Sequence, residues 1–166
     1  MIQTNINIDT HLLPILEQVS DPEIPVLTVL DLGVIREAID IDGTVHVKLT
    51  PTYSGCPAMD VIGDDLKLAF APLGKKVTVE LVLAPAWSTD WISESGLQKM
   101  EAYGIARPLS ESADKDVLLA GKKKVICPQC KSTNTHLVSQ FGSTACKALF
   151  KCKACLEPFD YFKCLK

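Results

Sequence analysis

Val34-Ile35-Arg36-Glu37-Ala38-Ile39-Asp40-Ile41-Asp42-Gly43-Thr44-Val45-His46-Val47-Lys48-Leu49 reads as two strands folded back on one another. Asp42-Gly43 tolerates the positive φ angles of a type I′ turn, and Val45, Val47 and Leu49 alternate with His46 and Lys48 on the returning strand. Upstream, Asp31-Leu32-Gly33 makes a turn after the apolar stretch Leu27 to Leu30. Before that, Leu12, Ile15, Leu16 and Val19 form one helical stripe, which must end where Pro22 and Pro25 interrupt Asp21-Pro22-Glu23-Ile24-Pro25. Downstream, the loop Thr50-Pro51-Thr52-Tyr53-Ser54-Gly55-Cys56-Pro57 leads into a helix carrying Met59, Ile62, Leu66, Ala69 and Phe70. Pro72-Leu73-Gly74 ends that helix, and Val77 to Leu83 is a further strand. The order α-β-β-α-β predicts an α+β domain, a small mixed sheet with helices on one face. Ser88 or Thr89 then caps an expected helix running to about Tyr103.

The chain has 166 residues, enough for this domain and a small module. Charge separates the two. From Gly121 to Lys166 nine lysines face two acids, Glu157 and Asp160, a net +7, which leaves −10 for the first 120 residues and a total of −3. The expected organisation is a first domain over residues 1–110, a small polar linker over 111–124 and a second domain over 125–166. The N-terminus has neither the basic start nor the apolar core of a signal peptide, and no apolar run has the roughly 18 residues of a membrane span. These features predict a cytoplasmic protein with no membrane partner, where the seven cysteines serve metal binding or thiol chemistry rather than disulfides.

Cys127-Pro128-Gln129-Cys130 and Cys152-Lys153-Ala154-Cys155 form two short knuckles at zinc-ribbon separation. Four thiolates fill a tetrahedron around Zn²⁺ and leave no open position for water or substrate, so the expected site is structural. Cys146 and Cys164 remain as core residues, substitute ligands or redox-active thiols. In the first domain Cys56 falls at or beside the N-cap of its helix, with Pro57 suited to the first helical position. The helix dipole there favours the thiolate, opposed by Asp60, Asp64 and Asp65, and the expectation is a moderately activated thiol. Read locally, Asp21 and Glu23 cap a surface turn, and Trp87 and Trp91 form a packed face. There is no pair of Glu-x-x-His motifs for a di-iron centre and no glycine-rich dinucleotide fingerprint.

Asp21-Pro22-Glu23-Ile24-Pro25, Asp31-Leu32-Gly33 and Ser54-Gly55-Cys56-Pro57-Ala58 together resemble the iron–sulfur assembly family that includes SufT. A more specific resemblance covers nearly the whole chain. Thr50 to Pro57, Pro85-Ala86-Trp87-Ser88-Thr89-Asp90-Trp91, Phe141 to Ala148 and Glu157 to Cys164 resemble the PaaD-like accessory proteins of the phenylacetyl-CoA ring epoxidase system. That resemblance implies a non-catalytic maturation factor for the epoxidase, assisting iron–sulfur cluster assembly in its reductase component. It further implies that Cys56 handles iron or a transient cluster and that Asp21 and Glu23 orient it or supply oxygen ligands; on the maturation reading the zinc ribbon, with Trp87 and Trp91, helps dock the client. The resemblance leaves monomer and homodimer both open. A structural subunit of the oxygenase is the alternative. A zinc-ribbon nucleic-acid-binding protein ranks lower, because the first domain is acidic and few aromatics alternate with the lysines.

Overall fold

The computed structural model describes residues 6–109 and 124–163. Its contacts divide the chain into two compact units, one of Met1–Trp87 with Trp91–Ser93, the other of Ser88–Asp90 with Glu94–Lys166. The first unit is built on a four-stranded sheet in the order β1 (Asn7–Ile8), β2 (Ile35–Ile41), β3 (Thr44–Leu49) and β4 (Lys76–Leu81). β2 and β3 are antiparallel, whereas β1 joins β2, and β4 joins β3, in parallel. The hairpin turn has φ of +50° at Asp42 and +81° at Gly43, the left-handed pair that a type I′ turn requires. Val45, Val47 and Leu49 are buried on one face of β3. α2 (Ala58–Phe70) contacts β4 and buries Met59, Ile62, Leu66 and Phe70. Pro57 is its N-cap rather than its first helical residue, which puts Cys56 beside the N-cap.

Two helices differ from the sequence pattern. The first, α1, spans only Leu13–Leu16 after a 3₁₀ turn at Thr10–Leu12. Val19 is drawn out of the helical stripe because its carbonyl accepts the Val29 N–H at 2.9 Å, while Ser20 bridges Thr28 and the Asp21 N–H reaches the Leu27 carbonyl at 2.8 Å. The helix expected from Ser88 or Thr89 is split into a 3₁₀ turn, Thr89–Trp91, and α3, Glu94–Tyr103. Ser93 sits at the break, its N–H on the Asp31 carbonyl at 2.8 Å and its hydroxyl on the Asp31 carboxylate at 2.9 Å. A residue held by both groups in this way cannot continue a helix.

Gly33 shows how tightly the segment around Trp91 closes on the 31–33 turn. Its φ is +67°, and a Cβ there would lie 2.3 Å from the Trp91 carbonyl oxygen. Gly33→Ala adds backbone strain to a clash with main chain, and is expected to cost about 2–4 kcal/mol of stability. Urea unfolding of the two proteins side by side measures it, and a loss below about 0.5 kcal/mol would contradict this packing.

In the second unit a four-stranded sheet runs β5 (Ile105–Ala106), β8 (Pro158–Phe162), β7 (Lys147–Cys152), β6 (Thr135–Ser139). β6, β7 and β8 form an antiparallel meander, and β5 adds to β8 in parallel. Val125, Phe150, Phe159 and Tyr161 fill its core, with Phe150 stacked on Phe159 at 5.9 Å and edge-on to Tyr161 at 5.5 Å. α3 belongs to this unit. It contacts β5, and its Glu101 binds Arg107 at 2.8 Å and pairs with Lys131 of the first cysteine knuckle. The linker expected at 111–124 lies outside the described residues except for Lys124. Among the described residues no helix is long and apolar enough to cross a membrane.

Candidate functional site

Each unit contains one sulfur site. In the second unit, Cys127, Cys130, Cys152 and Cys155 converge with all ligand atoms within 4.8 Å of one another. The Cys127 and Cys155 sulfurs are 3.7 Å apart, and those of Cys130 and Cys152 are 3.6 Å apart. Four sulfurs about 2.3 Å from a zinc ion stand about 3.8 Å from each other, so the set fits a tetrahedral zinc site. The knuckles present them by a shared device. The residue after each second cysteine, Lys131 at φ +61° and Leu156 at φ +68°, turns left-handed, and the Lys131 N–H returns to the Cys127 carbonyl at 3.0 Å. Cys127 and Cys152 are buried in the ribbon core, while Cys130 and Cys155 face outward.

Without a cation, Cys152 and Cys155 are driven in opposite directions. N–H groups of Cys155 and Ala154 hold Cys152 down to about 6, the latter 3.4 Å from its sulfur. The Glu157 N–H favours the Cys155 thiolate, yet the crowd of neighbouring sulfurs, with some desolvation, pushes it up to about 12. A divalent ion removes that conflict. Cys146 is not among the clustered cysteines; it is buried, with its sulfur 3.0 Å from the Thr144 hydroxyl. Cys164 lies outside the described residues.

In the first unit, Cys56 borders an open cleft of about 570 Å³ lined by Pro51, Gly55, Met59, Asp60, Leu81 and Leu83. Gly55, at φ +79°, turns the loop immediately before it. The expectation of an activated thiol is overturned, because Cys56 lies above the ordinary thiol range. Burial is the largest cause, and the Glu23 carboxylate adds to it. The Ala58 N–H and the hydroxyls of Tyr53 and Thr52 act in the opposite direction without prevailing. The helix end does deliver a favourable N–H, but desolvation outweighs it.

Glu23 thus acts on Cys56 through its charge. Asp21 acts differently, since its carboxylate accepts the N–H groups of Glu23 and Ile24, each at 2.8 Å, and so folds the loop that presents Glu23. Trp87 offers no docking surface, because it is buried and its indole donates to the Leu32 carbonyl at 2.9 Å. Trp91 is half-buried with the Arg36 guanidinium 3.9 Å over its ring. Sequence reasoning missed Tyr53 and Thr52, although both stand in the loop that carries Cys56.

The charge balance at Cys56 is testable by alkylation with iodoacetamide, followed by mass spectrometry across pH on the zinc-loaded chain. The rate should rise with pH through a midpoint above that of a free cysteine, because only the thiolate reacts. Glu23→Gln removes a negative neighbour and should move the profile to lower pH; Tyr53→Phe removes a donor and should move it higher. Identical profiles in all three proteins would show that these groups do not act on the sulfur.

A mixed sheet with a cysteine at the head of its helix, followed by a four-cysteine ribbon, defines an iron–sulfur-assembly-type domain joined to a zinc ribbon. Residues 10–81 match the family described as iron-sulfur cluster assembly protein, and residues 111–163 match the PaaD zinc beta ribbon domain. An Escherichia coli (strain K12) protein, named as a putative subunit of 1,2-phenylacetyl-CoA epoxidase, is 44% identical over 152 residues, covering 91% of this chain and 90% of that protein. The chain belongs to that family of epoxidase subunits, the PaaD family. The Bacillus subtilis (strain 168) "Fe-S protein maturation auxiliary factor YitW" is 40% identical over 81 residues, 47% of this chain and 78% of that one. A crystal structure of a domain of unknown function from Bacillus anthracis aligns with 52% of this chain and 84% of its own, at 27% identity and a TM-score of 0.48. The names of the two relatives describe an epoxidase subunit and an Fe-S protein maturation auxiliary factor.

Proposed function

We propose that the chain is an accessory factor of a phenylacetyl-CoA epoxidase system and assists iron–sulfur cluster assembly in its reductase component, with Cys56 handling the iron or cluster. The observation that carries this reading is the Cys56 cleft. The thiol borders an open cleft, the hydroxyls of Tyr53 and Thr52 hydrogen-bond to it, and the negative charge of Glu23 acts on it. The thiol is protonated at rest, which keeps it unreactive toward oxidants and electrophiles. A soft cation displaces the proton and takes a thiolate ligand, and the negative charge of Glu23 favours that exchange. One sulfur does not complete the coordination of a cluster, an arrangement suited to passing it on rather than keeping it. The ribbon holds zinc as a structural ion, and Trp91 remains the aromatic candidate for client contact. The factor acts in the cytoplasm, where its thiols stay reduced.

The name of the Escherichia coli relative favours a second reading, a permanent structural subunit of the epoxidase. Affinity purification of the epoxidase from cells separates the two. A maturation factor is recovered in trace amounts with mature epoxidase and enriched on reductase lacking its cluster. A structural subunit is recovered in equal molar amounts with both.

A further inference from the structure

β4 is the edge strand of the first sheet, and among the described residues no strand pairs with its outer side. The N–H groups of Lys76 and Val82 point toward the β3 side, at 3.2 Å to the carbonyl of Gly43 just before β3 and 2.7 Å to the Leu49 carbonyl at its end. Alternation along the strand therefore turns the N–H and C=O groups of Val77, Val79 and Leu81 toward the free edge. The apolar side of β4 is also incompletely covered. Val77 and Val79 are half-buried and Leu81 is 50% exposed, whereas Val45, Val47 and Leu49 beside them on β3 are buried. An edge of this kind is a template for another strand.

We infer that a second copy of this chain occupies it, β4 pairing antiparallel with β4 about a two-fold axis at Thr78. The sequence Lys76-Val77-Thr78-Val79-Glu80 is complementary to itself in that register. Val77 of one copy stands opposite Val79 of the other, and each pair exchanges both backbone hydrogen bonds through the outward-facing groups. Lys76 stands opposite Glu80 at both ends. Other antiparallel registers that use the outward-facing groups separate these charges. The pairing also extends a charge row already in the sheet: Glu37 on β2 binds Lys48 on β3 at 2.8 Å, and Lys48 lies beside Glu80 on β4. Lys76 of the second copy continues the alternation of sign. Opposite charges directly across a strand pair stabilise it and like charges oppose it.

The test uses analytical ultracentrifugation of the full zinc-loaded chain, of Lys76→Glu, of Glu80→Lys, and of an equimolar mixture of the two variants. The wild type should be a dimer at high micromolar concentration. Each single variant places like charges at both ends of the pairing and should dimerise at least about tenfold more weakly. In the mixture every cross-strand pair is again opposite in charge, and a heterodimer should form with near wild-type affinity. That recovery also shows that neither variant has lost its fold. A monomeric wild type, single variants that dimerise as well as wild type, or a mixture that stays monomeric would each overturn the assignment.

Discussion

Replacing Cys127 with serine is expected to empty the metal site and unfold the ribbon while the β2–β4 sheet and α2 stay folded. Cys127 is fully buried in the same core as Phe150 and Tyr161, so the change removes a zinc ligand and leaves a hydroxyl in apolar surroundings. Structural zinc contributes apparent binding energies of about 10–16 kcal/mol to small modules, far more than a core of this size supplies by packing alone. Zinc should fall from about one per chain to near zero, with loss of the dispersed amide signals of β6, β7 and β8. Those of β2, β3 and α2 should remain. Cys146→Ser is the matched control, because Cys146 is buried outside the cluster; it should keep its zinc. A Cys127→Ser chain with an intact ribbon and no metal would refute the structural role of the site.

Cys56→Ser is expected to have the opposite profile, little effect on the chain and a large effect on its client. Serine is close in size to cysteine, and the Ala58 N–H and the hydroxyls of Tyr53 and Thr52 around the sulfur can hydrogen-bond to a hydroxyl. The stability cost should stay near about 1 kcal/mol, with zinc unchanged. What disappears is the soft, deprotonatable ligand, and a hydroxyl cannot take its place for iron at neutral pH. Cluster content in the reductase should drop severalfold. A variant with altered zinc or a lost fold would show that Cys56 supports structure instead.

Much of this was legible in the chain. The Asp42-Gly43 turn, the alternation on β3 and the periodicity of α2 are local signals, and the structure contains all three. The four-cysteine spacing is equally local, since each knuckle is a turn of a few residues. What escaped depends on distant neighbours. The sign of the Cys56 shift is set by burial, with the charge of Glu23, on a loop folded by Asp21, adding to it. The break before α3 arises because Ser93 is captured by Asp31, and Trp87 is withdrawn from the surface by the Leu32 carbonyl. The addition of β5 to β8 joins two segments more than 50 residues apart, too distant for spacing in the sequence to reveal.

The most direct test of the central claim is iron and acid-labile sulfide per reductase, measured after co-expression with the wild-type chain, with Cys56→Ser, or with neither. A full cluster with the wild type and a depleted one in the other two, while the variant keeps its zinc, is the expected result. Equal cluster content in all three would contradict maturation through Cys56 and leave the structural-subunit reading in its place.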